Sequence, residues 1–154
     1  MKKPAFDVEA ANRHFAVNCF NAVWELLDKP DRTPFEDQQM IERCLASVWH
    51  WRQRPDCKDE NLSIGYWQAS RVYAVIGNAD EARRYGGLCL KAAGGEGVSV
   101  FTVGYAYEAL ARAEKVAGND AKAAEHLAKA RDTASCIEDE ESRQMLESDL
   151  DELG

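Results

Sequence analysis

Apolar residues recur along this chain at helical spacing, in blocks separated by short polar or glycine-containing breaks. In the first block Phe15, Cys19, Phe20, Val23 and Leu27 fall three or four residues apart, the spacing of one helix face. Asp7 stands ahead of them as a cap, which predicts a helix from about 7 to 27. Asp28-Lys29-Pro30-Asp31-Arg32 is a turn. Thr33-Pro34-Phe35-Glu36 then starts a second helix: Thr33 can accept from a first-turn N–H, Pro34 suits a position that needs no donor, and Glu36 can close a capping box. Its buried stripe reads Met40, Ile41, Cys44, Leu45, Val48 and Trp49, and Pro55 limits it.

A third helix is predicted over about 60–76, closed by Gly77, a residue free to turn left-handed. Asn78 or Asp80 can cap a fourth over about 79–93. Gly86-Gly87 weakens that helix by about 1 kcal/mol per glycine relative to alanine, which predicts close packing against a neighbour there. Gly94-Gly95-Glu96-Gly97 breaks the chain before a fifth helix over about 99–117. Gly118 ends it, Asp120 caps a sixth over about 121–136, and 138–153 adds a seventh. Turns this short force consecutive helices antiparallel. The expectation is one domain, 1–154, of three helical hairpins (about 7–54, 60–93 and 99–136) and a short terminal helix (about 139–152).

The chain also matches itself. Sliding it by 41 residues lays Tyr66 on Tyr107, Arg71 on Arg112, Val75 on Val116, Gly77-Asn78 on Gly118-Asn119 and Ala82 on Ala123. Self-similarity at fixed spacing marks units that bury their faces against one another. Tyr66, Ser70, Tyr73, Gly77-Asn78, Ala82 and Cys89 resemble the tetratricopeptide repeat, as do Tyr107, Leu110, Ala111, Gly118-Asn119, Ala123, Leu127 and Ala130. The resemblance covers about residues 60–136. The period of 41 exceeds the family's ~34, Glu114 stands where the first unit has Tyr73, and no closing proline appears. The whole chain is also similar to a group of short bacterial helical-repeat proteins, on Trp24-Glu25-Leu26-Leu27, His50-Trp51, the run 67–75 and the run 106–113; that likeness bears on fold and implies no activity. Together these imply an all-α, tetratricopeptide-like right-handed array of three antiparallel hairpins, whose first helices line an inner surface.

Composition narrows the partners. The formal charge of −8 argues against generic nucleic-acid binding, which needs a basic surface to displace counterions, and against anionic membranes. Much of that charge lies between Glu138 and Glu152, where Arg143 is the one basic residue. Lys2 and Lys3 are followed by Asp7, Glu9, Asn12 and Arg13 rather than by a signal peptide's apolar core, and no run approaches the ~18 apolar residues of a span. Five widely spaced cysteines (19, 44, 57, 89, 136) without a C-x-x-C pair suit a reducing cytoplasm, with Cys57 the expected exposed thiol. No metal-ligand spacing, nucleophile signature or phosphate-cradling loop occurs, so neither cofactor nor catalytic activity is expected.

The candidate site is the inner surface. Tyr66, Ser70 and Tyr73, then Tyr107, Leu110 and Ala111, should face the core. One step around the wheel puts Trp67, Arg71 and Ala74, then Tyr105, Glu108, Arg112 and Lys115, on the inner face. Arg71 and Arg112 at equivalent positions could clamp a carboxylate beside an aromatic wall. In the plainer reading Glu108–Arg112 is an ordinary intrahelical ion pair and Arg71 meets a carboxylate of the first hairpin. His50, between Trp49 and Trp51, is expected to be packed and hydrogen-bonded, with an exposed Trp at an oligomer interface as the second reading. Glu108 with His50 is the one acid–base pairing to inspect. The function expected is a protein- or peptide-binding module. A homodimer through Phe6, Val17 and Phe20 is a further expectation. The alternative is a small-molecule pocket between hairpins lined by Trp24, Trp67, Tyr105 and Arg112.

Overall fold

The computed structural model describes residues 5–154; Lys2 and Lys3 lie outside them. The described chain is all-α: α1 Val8–Leu27, α2 Pro34–Arg52, α3 Asp59–Val75, α4 Ala79–Ala93, α5 Val100–Val116, α6 Asp120–Ala134 and α7 Glu140–Leu153. Among the described residues no helix is long and apolar enough to cross a membrane.

Short polar side chains fix most helix starts. Asp7 accepts from the Ala10 N–H, Asn78 from Glu81, Ser99 from Thr102 and Asp139 from Ser142. At α2 the capping box is closed: Thr33 Oγ1 accepts from the Glu36 N–H, and Glu36 Oε2 accepts from the Thr33 N–H at 2.8 Å. Asn119 caps α6, not Asp120, which is already the first helical residue. The reason is the turn before it. Gly77 and Gly118 take φ of +83° and +73°, the Asn78 N–H reaches Tyr73 O at 2.9 Å, and the Asn119 N–H reaches Glu114 O at the same distance. Both reversals leave the asparagine in non-helical geometry, which is what a cap requires.

Cross-helix contacts give the topology. Ser47 Oγ donates to Ala16 O and Arg43 to Ala22 O, so α2 runs back along α1. Ser63 and Ser70 donate to Cys89 O and Ala82 O, so α4 runs back along α3. The odd-numbered helices run the other way round, all in one direction. Val17 and Asn21 share a cleft with Asn61 and Ile64, while Trp24, further on, meets Trp67 and Arg71. Glu60 meets Ser99 and Thr102, and Trp67 meets Glu108. Tyr105 meets Asp149, and Lys115 approaches Gly154. Thus α1, α3, α5 and α7 touch in succession on one side, and α2, α4 and α6 each lie against successive members of that row.

One buried cluster joins Val23, Met40, Cys44, Val48, Tyr66, Ala69, Val72 and Tyr73 with Tyr85 and Cys89; a second joins Ala130, Ala134, Ile137, Leu146 and Leu150. Burial pushes the thiols of Cys44 and Cys89 up to about 12. Small residues set the helix separations. A Cβ on Gly65 would lie 2.7 Å from Val48 Cγ2, and one on Gly86 would lie 3.0 Å from Leu110 Cδ2. Gly87 faces open space, so close packing accounts for Gly86 alone.

Three expectations are corrected. Trp49 is 57% exposed rather than core, because α2 has neighbours only in α1 and α3 and the stripe Met40-Cys44-Val48 fills that side. A residue one step past Val48 turns about 100° away from it. Ala74, expected on the inner surface, is buried. Cys136 is the exposed thiol, and Cys57 is half-buried.

Gly65→Val should cost at least ~2 kcal/mol in urea unfolding, since overpacking outweighs any helix-propensity gain. Combined with Val48→Ala, the loss should fall short of the sum by ~1 kcal/mol, the signature of a direct contact. Lys29 and the Thr33 N–H hold the Glu36 carboxyl down at about 2 from its usual 4.5. A carboxylate with a lowered folded-state value stabilises above its unfolded value, and that contribution is lost as pH falls. The melting-temperature gap between wild type and Glu36→Gln should therefore be full above pH 4.5 and close progressively towards pH 2.

Candidate functional site: an aromatic pocket across the parallel helices

The row of parallel helices carries an apolar cavity of about 280 Å³. Phe20 and Trp24 of α1, Ser63, Ile64 and Trp67 of α3, Phe101, Thr102 and Tyr105 of α5, and Met145 of α7 line it. These residues meet because their helices run in one direction, so that successive turns stay in register. The rings form a continuous wall: Phe20–Trp24 centroids are 6.1 Å apart, Trp24–Trp67 5.7 Å, Trp67–Tyr105 5.3 Å and Tyr105–Phe101 4.9 Å. Edge-on and tilted contacts of this kind suit the ring quadrupoles. Ile64 and Met145 are exposed and mark the mouth.

The hydroxyls of Ser63, Thr102 and Tyr105 are already occupied. Ser63 Oγ bonds Cys89 O, and Thr102 Oγ1 donates to Glu60 at 2.9 Å. Tyr105 Oη donates to Asp149 at 2.7 Å; burial, then that carboxylate, hold its hydroxyl well above the usual tyrosine range. A neutral phenol donating to a fixed carboxylate anchors the ring and offers no acid–base group.

Behind the wall lies a buried charge. Glu108 has no exposed surface. Trp67 Nε1 donates to its Oε2 at 2.8 Å, and Arg112 Nε donates to its Oε1 at 2.8 Å, with Nη2 of Arg112 2.7 Å from the same oxygen. Trp67 and Glu108 stand 41 residues apart, the spacing of the internal match, so equivalent positions of neighbouring units touch each other. The indole N–H thus fixes both the carboxylate and the orientation of the central pocket ring.

Of the residues singled out from sequence, Trp24, Trp67 and Tyr105 come together in the pocket wall. Arg71 packs on that wall, its guanidinium carbon 6.0 Å from the Trp24 centroid and 5.9 Å from that of Trp67. Arg112 does not join it. Glu108 takes its guanidinium, so the two-arginine clamp is absent and the intrahelical ion pair is present. Arg71, in contrast, meets no carboxylate of the first hairpin: among the described residues it forms no ion pair. His50 lies outside the pocket, its Nδ1 2.8 Å from Asn12 Oδ1 and its ring between Phe15 and Trp49. It shares nothing with Glu108, whose two oxygens have partners of their own. Among the described residues no three His, Cys, Asp or Glu side chains are grouped to hold a metal ion.

Phe20, Ile64, Phe101 and Met145 escaped notice as site residues. Phe101 and Tyr105 are four apart and share a face, which is a visible signal. Phe20 reads equally well as core or contact, and Met145 becomes a lining residue only because α7 takes the place beside α5. No family model matches the chain, and no curated protein or solved structure matches it either.

Trp67→Phe keeps an aromatic side chain, though a smaller one, and strips one donor from a buried carboxylate; it should cost about 1–3 kcal/mol in chemical denaturation. Arg112→Met removes the counter-charge itself and should cost more, about 3–5 kcal/mol. Equal losses, or the reverse order, would show that Arg112 is not the main partner holding Glu108.

Proposed function

We propose that this protein is a non-catalytic, tetratricopeptide-like interaction module whose parallel first helices hold an apolar segment of a protein partner. The observation that carries this reading is the aromatic pocket. Five aromatic rings from three helices converge on one cavity, and the hydroxyls of Ser63, Thr102 and Tyr105 around it are satisfied within the chain. At about 280 Å³ the cavity falls just under the ~300–1,000 Å³ of pockets that enclose drug-sized ligands or cofactors. That size suits one large anchoring side chain in an open groove, the geometry of a binding hot spot. The right-handed array and the inner-surface role of the first helices follow from the repeat resemblance. The common direction of α1, α3, α5 and α7 supports them.

Selection from a random peptide display library tests the reading. Peptides enriched on the wild type should share a large apolar residue and should bind at least tenfold more weakly, about 1.4 kcal/mol, to Ile64→Glu. Ile64 is 40% exposed, so this substitution at the mouth should leave the melting temperature unchanged within about a degree or two. No enrichment, or equal binding by the variant, would remove the proposal.

A further inference from the structure

An arginine without an ion-pair partner among the described residues stands beside the pocket. Arg71 follows Trp67 by one helical turn and spreads its guanidinium against the faces of both Trp24 and Trp67, the rings at the centre of the wall. Stacking on two indoles holds the group in place without neutralising it. Of the carboxylates around the wall, Glu108 pairs with Arg112, while Asp149 and Glu60 accept from the hydroxyls of Tyr105, Ser99 and Thr102, and none of the three forms an ion pair with Arg71. Arg71 is half-buried and forms no ion pair among the described residues. A fixed, partly desolvated cation with no partner, beside an apolar cavity, is a recognition element for an anion. The chain's overall charge of −8 does not cancel this locally, because salt screens exposed charges beyond roughly 8 Å.

From this charge complementarity we infer that the groove selects a peptide segment carrying an acidic side chain next to its apolar anchor, with Arg71 reading the carboxylate while the aromatic wall holds the anchor. This rests on the interaction-module reading and adds the charge of the partner to it.

Two naphthylamine dyes that differ by one anionic group separate the claims. N-phenyl-1-naphthylamine is neutral, and 1-anilinonaphthalene-8-sulfonate has a sulfonate on a similar frame. Fluorescence titration of the folded wild type should show the anionic dye binding at least fivefold more tightly. Arg71→Met should abolish that preference and leave the neutral dye's affinity within about twofold; Arg71→Lys should restore part of it. If the two dyes bind the wild type equally, or Arg71→Met leaves their ratio unchanged, the charge inference falls while the pocket reading stands. If neither dye binds, both fall together. Displacement then decides the source of the anion. Acetyl-Leu-Phe-Asp-amide should displace the anionic dye at a several-fold lower concentration than acetyl-Leu-Phe-Asn-amide. Equal displacement by the two peptides would overturn the assignment to a protein segment.

Discussion

A carboxylate with no exposed surface sits between the second and third of the four parallel helices, and the groove depends on how it is matched. Glu108 is bound on one side by an arginine of its own helix and on the other by the indole N–H of Trp67. An isolated buried anion is too costly to keep, whereas one with its donors in place is tolerated and becomes a strict geometric constraint. The constraint acts on Trp67, whose ring contacts both Trp24 and Tyr105. Fixing that single ring therefore orders the wall from α1 to α5. A groove lined only by apolar side chains would have more freedom to collapse or repack.

The same unit is used twice with different chemistry on its other side. In the first copy Tyr73 stacks on Tyr85, centroids 5.4 Å apart and nearly coplanar. The residues 41 places on are Glu114 and His126. Glu114 is buried and takes a forked pair from Arg83 of the preceding helix hairpin, at 3.1 and 2.7 Å, which holds its carboxyl below the usual range. Burial lowers the His126 imidazole. An aromatic stack that joins helices within one unit is thus replaced by an ion pair that joins neighbouring units. Both fill the gap between a first and a second helix, which is why the backbone repeat survives the change.

At the end of the array α7 resolves a general problem of stacked units, whose last face would otherwise be bare. Leu146, Leu150 and Leu153 bury its inner side, and most of its acidic residues face outward, Asp149 excepted, which accepts from Tyr105. Leu146 is close enough to α5 that Gly104 has no room for a side chain. The other end is different: Phe15 and Trp49 remain exposed around His50, on a hairpin that no further helix covers among the described residues.

Much of the fold was legible in the residues, for local reasons. Caps such as Thr33 and Asn78, the left-handed glycines at 77 and 118, and the apolar spacing within each block act over a few residues, so the chain states them directly. The 41-residue match carried the relation between units as well, because repeated units stack equivalent faces. A pocket lined by Trp24, Trp67 and Tyr105 was legible too, but with Arg112 in it rather than Phe20, Ile64, Phe101 and Met145. Contacts between helices distant in sequence were decided only by packing: that Trp49 is left facing solvent, that Glu108 is fully enclosed and bound by Trp67 as well as by Arg112, that Arg71 forms no ion pair among the described residues, and that Met145 of the last helix lines the cavity mouth. Periodicity places a side chain on a face of its own helix, but the neighbour it meets depends on how far and at what angle the next helix approaches. Here a few glycines and one buried anion set that approach.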